Sequence, residues 1–460
     1  MEEKKEEVVD EEKLKEKSRK ISIAEGSANS LADGFGTKYI TPYALAIGAN
    51  NMYIGLLSSI PSFVGNFSQI FSSKLIEKFS RKKIVFCGAL LQSIMWLFIL
   101  SAGILFFVFN LKTSSHITLV LIYTILILFG AIITPAWNSW MKDLVPRNPG
   151  KYFGKRNRII GTISLICMLI GSFILDYFKH TKIFLGFIVL FSISFIARGI
   201  SAYLFTKEYE PNLQLQKGYY FTFWQFIKKI PQSNFGKFVV FVALINFATA
   251  IASPFFAVYM LKNLGFNYTQ WIVIVIASSL AALLFLVPWG RLADKHGNLK
   301  VIQISGALVF LVPALWLIAS LVLGENHKFL FIILILIESF SGLIWAGFNL
   351  SAANFIYDAV TRDRMALCVA YSNVLNGCGV FLGATIGGFL SSRTIVFFGL
   401  SPLLFVFFIS GVLRLLVYII MIPKIKEVRE VPKFGIKEAK ERFLVLTPKP
   451  ILKYFHEKSY

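Results

Sequence analysis

The sequence predicts an all-α membrane protein in which twelve transmembrane helices form two six-helix, pseudo-symmetric bundles. Three observations carry that prediction. Hydrophobic residues make up 56% of the 460 and charged residues only 16%, more apolar bulk than a water-soluble chain of this length covers with surface charge. The apolar residues gather into stretches of about 20, the length that crosses a bilayer core. The second half also repeats the first. At an offset of 217, Gly48 and Asn50 fall on Gly265 and Asn267, Asn29 on Asn246, and Lys74, Leu75, Glu77 and Lys78 on Arg291, Leu292, Asp294 and Lys295. At an offset of 216, Asn157, Gly161 and Gly171 fall on Asn373, Gly377 and Gly387. Two parallel repeats of membrane helix place a binding site between the halves.

Along the chain, residues 1–24 are expected to be a polar tail, since acids and lysines alternate through residue 20 in a pattern suited to a solvated helix or to disorder. The first bundle is expected over 25–206, with spans near 25–47, 51–72, 84–109, 117–141, 157–178 and 182–205. Residues 207–235 form the long internal connection, the linker between bundles; from Tyr219 to Lys229 it passes from aromatic to basic, suited to the headgroup layer. The second bundle is expected over 236–422, with spans near 236–261, 268–289, 299–323, 329–357, 365–391 and 395–422. A basic tail closes the chain over 423–460, where Pro448 and Pro450 argue against one continuous helix.

The net charge of +22 is distributed unevenly: 38 Lys and Arg fall in the tails and loops of one side and 6 on the other. Such a bias places both termini in the cytoplasm, in a multi-pass protein of the plasma membrane. It removes any need for a nucleic-acid partner, while the basic face favours anionic membrane lipids. The charged N-terminus shows no cleavable signal peptide, so the first span is expected to direct insertion. The short connections at 48–50, 179–181 and 392–394 leave little room for an external domain. Cys87, Cys167, Cys368 and Cys378 lie in or beside apolar spans without metal spacing and read as small hydrophobes. The five histidines are scattered, and no nucleophile elbow, zinc-protease motif or phosphate loop occurs. A non-enzymatic monomer with neither cofactor nor metal is the expectation.

Between the eighth and ninth spans the chain reads Trp289, Gly290, Arg291, Leu292, Ala293, Asp294, Lys295, His296, Gly297, Asn298, Leu299, Lys300. This resembles the loop signature Gly-x-Leu-Ala-Asp-Arg-x-Gly-Arg-Lys of the major facilitator superfamily, which recurs between spans two and three. There the chain reads Ser73, Lys74, Leu75, Ile76, Glu77, Lys78, Phe79, Ser80, Arg81, Lys82, Lys83. The two copies depart from the signature in complementary ways. The second keeps Gly290, Asp294 and Gly297 but has Asn298 and Leu299 for the closing basic pair; the first keeps Arg81 and Lys82 but has serines for both glycines and Glu77 for the aspartate. The resemblance, covering about 25–422, implies a transporter working by alternating access. Glu77, Arg81, Gly290, Arg291, Asp294 and Gly297 are then a cytoplasmic gate: a tight turn draws helix ends together, and an acid sits at a neighbouring helix N-terminus.

The resemblance also implies that spans one, four, seven and ten line a central cavity. Ionisable residues in lipid cost about 2.5–3.5 kcal/mol each, so Asp33, Lys38 and Glu338, on spans one and ten, rank as solute or proton sites above Arg198 and Arg414. Lys38 and Glu338 alternatively form a buried structural pair. Asn138 and Asn349, beside Trp137 and Trp345, offer hydrogen bonds and ring faces to a polar organic solute, or else hold helices together. Asn246, the repeat counterpart of Asn29 on the seventh span, joins this set. Lys142, Asp143 and Arg147 read as a lid of charge at headgroup level, with Asp358, Arg362 and Asp363 in the matching place. Gly161, Gly171, Gly377, Gly383, Gly387 and Gly388 read as flat packing surfaces.

The patterns of drug–proton antiporters, sugar porters and peptide–proton symporters are absent; after span six stand Lys207, Glu208, Tyr209, Glu210, Pro211 and Asn212. The expectation is therefore a secondary transporter of a small polar or amphiphilic solute, open to proton coupling. A lipid flippase or a non-transporting membrane partner is the alternative.

Overall fold

The computed structural model describes residues 2–145, 149–180, 182–211, 221–324, 326–361, 364–393 and 399–431. Arg147, Arg362, Asp363, the linker from Asn212 through Tyr219 to Tyr220, and the tail with Pro448 and Pro450 lie outside them. Among the described residues twelve long helices follow one another. In the first half they are α1 (Glu2–Phe35, continued by Ile40–Ala46), α2 (Asn51–Ser68), α3 (Arg81–Phe107), α4 (Lys112–Leu144), α5 (Pro149–Phe178) and α6 (Ile183–Lys207). In the second half α7 is Asn234–Ala250, continued by Phe255–Val258 and Tyr259–Asn263, and α8 is Tyr268–His296. There follow α9 (Asn298–Leu308 and Leu311–Leu323), α10 (His327–Ala359), α11 (Met365–Ser391) and α12 (Pro402–Met421). Ten of them, α3 to α12, are long and apolar enough to cross a membrane. Charge dilutes α1, and serines and asparagines dilute the 18-residue α2.

The repeat is visible in how helices start and break. The Asn50 side chain caps α2 by accepting the Tyr53 N–H, and Asn267 caps α8 by accepting the Gln270 N–H at 2.7 Å, satisfying donors a helix start leaves open. Two residues ahead of each cap the chain turns through positive φ, +77° at Gly48 and +67° at Gly265, which glycine adopts without a Cβ clash. Both opening helices break at matching places, α1 at 36–39 and α7 at 251–254.

The bundles meet along two seams. In one, α2 lies against α11 from end to end: Asn51 Nδ2 donates to the Ser391 carbonyl at 2.8 Å, Gly55 abuts Gly388, and Asn373 Nδ2 donates to Gln69 Oε1 at 2.7 Å. In the other, α5 meets α8. At the far face, away from the termini, one apolar cluster unites Tyr39, Tyr43 and Phe187 of the first bundle with Phe255, Val258 and Trp271 of the second. Toward the termini-bearing face the cores separate. Trp140, Leu144 and Phe205 cluster within the first bundle, Phe238, Phe348 and Phe355 within the second.

Two expectations change here. The stretch to residue 24 is helical and its last turns belong to the first bundle. Glu11–Lys15 and Glu16–Lys20 pairs at i,i+4 support the helix, Ser18 and Ser22 are buried, and the Arg19 guanidinium donates to the Leu144 carbonyl. Gly161 packs against nothing: a Cβ there meets open space, whereas Gly171 faces Tyr39 and Gly377 faces Asn66.

Candidate functional site

At the termini-bearing face each bundle is tied by one polar knot, and the two knots occupy matching positions of the repeat. In the first, Arg81 opens α3, is fully buried, and donates through Nη1 to Asp143 Oδ2 of α4 at 2.6 Å. The Arg81 N–H donates to Glu210 Oε1 at 2.8 Å, so Glu210 caps α3. In the second, Asn298 opens α9 and donates through Nδ2 to Asp358 Oδ2 of α10 at 2.6 Å, while Glu427 accepts the Leu299 N–H at 2.7 Å. At an offset of 217 Arg81 falls on Asn298 and Glu210 on Glu427. One knot is ionic and the other joins a neutral amide to a carboxylate.

The signature residues stand around these knots. Gly297 takes φ +88° between α8 and α9. Glu77, Arg291 and Asp294 are exposed, Gly290 is half-buried, and the Asp294 carbonyl accepts from Arg429 at 3.3 Å. Asp143 is thus the partner of Arg81 and not a free headgroup charge.

Within the bundles the buried charges are also paired. Glu25 of α1, 3% exposed, accepts from Arg156 Nη2 at 3.2 Å and from the Ser201 hydroxyl at 2.8 Å, and lies 3.8 Å from Arg198. Arg198 donates to Gln92 and Asn29 as well. Its repeat counterpart Arg414 donates to the Val309 carbonyl and interacts electrostatically with Glu338, which accepts the Trp316 indole N–H at 2.9 Å. Glu338 is therefore engaged within its own bundle, by Trp316 and the field of Arg414, and Lys38 rides on a helix of the other bundle.

Lys38 is exposed at the break in α1, and Asp33 is half-buried five residues before it. Asn138 is exposed six residues from the end of α4, roughly 9 Å along the axis. It lines a cavity of about 930 Å³ with Lys15, Lys142, Asp143 and Tyr209, near the termini-bearing face and away from mid-membrane. Trp137 lies under the Arg156 guanidinium, 4.6 Å from its ring centre. On the other side Asn349 is exposed, Trp345 packs edge-on to Phe348, and Asn246 donates to Asn376 at 3.3 Å. Trp137 and Asn138 stand on α4 of the first bundle, and Trp345 and Asn349 on α10 of the second.

Among the described residues the two bundles are bridged at the far face. Asp176 at the end of α5 accepts the backbone N–H groups of Tyr268 and Thr269 at 2.8 and 2.9 Å and the Thr269 hydroxyl at 2.6 Å. The Tyr39 ring meets Trp271 edge-on at 5.8 Å, and the Tyr39 hydroxyl donates to the Met168 carbonyl. Neither Asp176 nor Glu25 stands out from its sequence neighbours, nor do the capping acids Glu210 and Glu427. The offset of 217, applied to charged residues, finds the last two.

The profile of the Major Facilitator Superfamily matches residues 28–235 and 237–457. An uncharacterised MFS-type transporter of Methanocaldococcus jannaschii is 24% identical over 277 residues, covering 59% of this chain and 67% of that one. Among solved structures, the nucleoside transporter NupG (an Asp-to-Ala mutant) superposes with TM-score 0.69 at 15% identity, over 90% of this chain and 100% of that one. A bacterial homologue of the iron transporter ferroportin, in its inward-facing state, superposes with TM-score 0.67 at 11% identity, over 88% and 98%.

Proposed function

The chain belongs to the major facilitator superfamily, as a multi-pass membrane protein of the transporter type, and from that premise we propose that it moves a small polar or amphiphilic solute by rocking its two bundles about a central site. The observation that carries this reading is the unequal closure of the two faces. The far face is sealed across the bundles by Asp176, Tyr39 and Trp271, while toward the other face each bundle keeps its own core. That is the arrangement of one access state of an alternating pair. With both termini in the cytoplasm, as the 38-to-6 distribution of Lys and Arg favours, it is the inward-facing state, in a plasma-membrane protein that acts as a monomer.

The parts divide the work. Solute passes the amide–indole walls of Trp137, Asn138, Trp345 and Asn349 on its way to Lys38 at the break in α1; Asp33 and Asn246 flank this path on α1 and α7. When the bundles rock, the Asp176 bonds break at the far face and the loops carrying Glu77, Arg81, Gly290, Arg291, Asp294 and Gly297 approach at the other. Differential affinity of solute for the two states sets how far it shifts them.

The test is a thermal-shift screen of the purified protein against a metabolite library, since a ligand of the native state raises stability by mass action. Uptake of each hit into proteoliposomes follows, with and without a proton gradient. A hit that is taken up, and whose uptake is lost on Lys38→Met, supports the proposal. A protein that accelerates lipid exchange between leaflets and takes up no hit overturns it in favour of a flippase.

A further inference from the structure

Glu208 is the first residue beyond α6, at the start of the linker, and it is 1% exposed. The backbone around it is docked firmly onto the first bundle. The Lys82 ammonium donates to the Glu208 carbonyl at 2.8 Å, the Tyr209 N–H to the Ser18 hydroxyl at 2.7 Å, and the Trp140 indole to the Tyr209 carbonyl at 2.9 Å. Arg81 Nη2 donates to the Pro211 carbonyl at 2.8 Å. Both carboxyl oxygens of Glu208, by contrast, are buried without a hydrogen-bond partner among the described residues.

Charged and titratable groups face this carboxyl from three helices: Glu25 from α1, Lys82 from α3, and Tyr152 and Arg156 from α5. Each cation is engaged elsewhere. Arg156 holds Glu25, donates through Nε to the Ser22 carbonyl at 3.2 Å and covers Trp137. Lys82 is bound to the backbone carbonyl of Glu208 and not to its side chain. An unpaired buried carboxylate costs several kcal/mol, and the neutral acid avoids most of that.

The repeat supplies an independent observation. At an offset of 217 the counterpart of Glu208 is Ile425, 5% exposed, in the apolar core of the second bundle. Two residues on, Glu210 and Glu427 do the same capping work in both halves. The socket is thus made for a neutral side chain, and in the first half a titratable one fills it.

We propose that the Glu208 carboxyl is a proton-binding site, and that the proton it holds keeps the start of the linker docked on the first bundle. Losing the proton breaks the O–H bond, delivers H⁺ to water at the termini-bearing face and leaves a carboxylate that the socket cannot solvate. Residues 208–211 then lift, and with them the Glu210 cap on Arg81. Burial, reinforced by the Glu25 carboxylate, pushes the Glu208 pKa up to about 9, against the opposing pull of Arg156 and Lys82. The site stands whichever solute the protein carries, and it needs no turnover to be measured.

The experiment uses the full chain in lipid nanodiscs, titrated with acid and base. Infrared difference spectra should show a carboxylic-acid C=O stretch, at the high frequency of a group without hydrogen bonds, vanishing near pH 9. That component should be missing in Glu208→Gln and retained in Glu25→Gln. Exchange of the Tyr209 and Arg81 amides, corrected for intrinsic rates, should rise at least tenfold through the same midpoint in the parent and stay flat in Glu208→Leu, whose side chain imitates the isoleucine of the other repeat. A Glu208→Gln protein that keeps the whole C=O titration overturns the proton site. Amide exchange that is pH-independent in the parent, or that rises equally in Glu208→Leu, overturns the link to docking.

Discussion

The Asp176 carboxylate of α5 accepts the Tyr268 backbone N–H at 2.8 Å, so an acid of one bundle caps the first turn of a helix in the other. The adjoining bonds from Thr269 N and Oγ1 complete a three-bond latch at the positive end of α8. Asp176→Ala should weaken the closed far face by about 2 kcal/mol, shifting the ratio of access states roughly thirtyfold. A spin-label pair at the far ends of α5 and α8 should then show a longer distance in most molecules, and Asp176→Asn an intermediate population. Unchanged distances in the alanine variant would mean the latch does not set the state.

The two knots at the termini-bearing face differ in kind and should differ in cost. Removing the fully buried Arg81 leaves Asp143 and Glu210 unpaired, so Arg81→Met should lower stability by about 3–5 kcal/mol. Asn298→Ala removes one amide bond to Asp358 and should cost about 1–3 kcal/mol. Melting temperatures of both variants in one detergent check the order, and equal losses would refute the contrast.

Lys38 and Glu338 should separate cleanly by phenotype. Glu338→Gln leaves Arg414 buried without its counter-charge and should lower the melting temperature, with partial recovery in the double variant Glu338→Gln, Arg414→Met. Lys38 is exposed, so Lys38→Met should melt like the parent and lose solute-induced stabilisation. A destabilised Lys38→Met protein would point to a structural partner instead.

Glu208 also predicts a slope of stability with pH. Its folded pKa of about 9 lies above the ordinary 4.5, so between those values the folded state holds a proton that the unfolded state has lost. Stability therefore falls as pH rises through this window and levels off above it. Melting curves of the parent and the neutral Glu208→Gln should run together at low pH and part as pH rises towards the folded pKa, the parent losing stability that the variant keeps; parallel curves would contradict the assignment.

Cysteine labelling in intact cells tests orientation. A cysteine replacing Asn263, exposed where α7 ends at the far face, should react with a membrane-impermeant thiol reagent, and one replacing Lys228 on the linker helix should not. The reverse pattern would invert the topology.

The helices were legible because membrane helices announce themselves by length and apolarity, and Gly48 and Gly265 by what a turn demands of the backbone. The matched breaks in α1 and α7 were not, since Gly36 and Pro254 disrupt a helix only as their neighbours permit. The candidate site was legible in composition and not in pairing. Lys38, Asn138 and Glu338 were visible as polar residues in apolar spans, but nothing local tells that Glu338 answers to Arg414 and Trp316. Arg81 finds Asp143 62 residues away and Glu210 129 residues away, separations at which only the tertiary fold decides. Glu25 was hidden for another reason: it ends a run of surface charges, yet its face of the helix turns inward.

Among the described residues, the seam between α2 and α11 is held along its length by the neutral contacts of Asn51, Gly55, Gly388 and Asn373. Its twin between α5 and α8 is fastened at the far face by a charged clasp. A duplicated chain starts with two interchangeable seams, and such a molecule has no preferred axis about which to swing. Here divergence of a few side chains has left one seam closed by amides and glycines and the other by a carboxylate, so the two no longer answer alike to a change of charge.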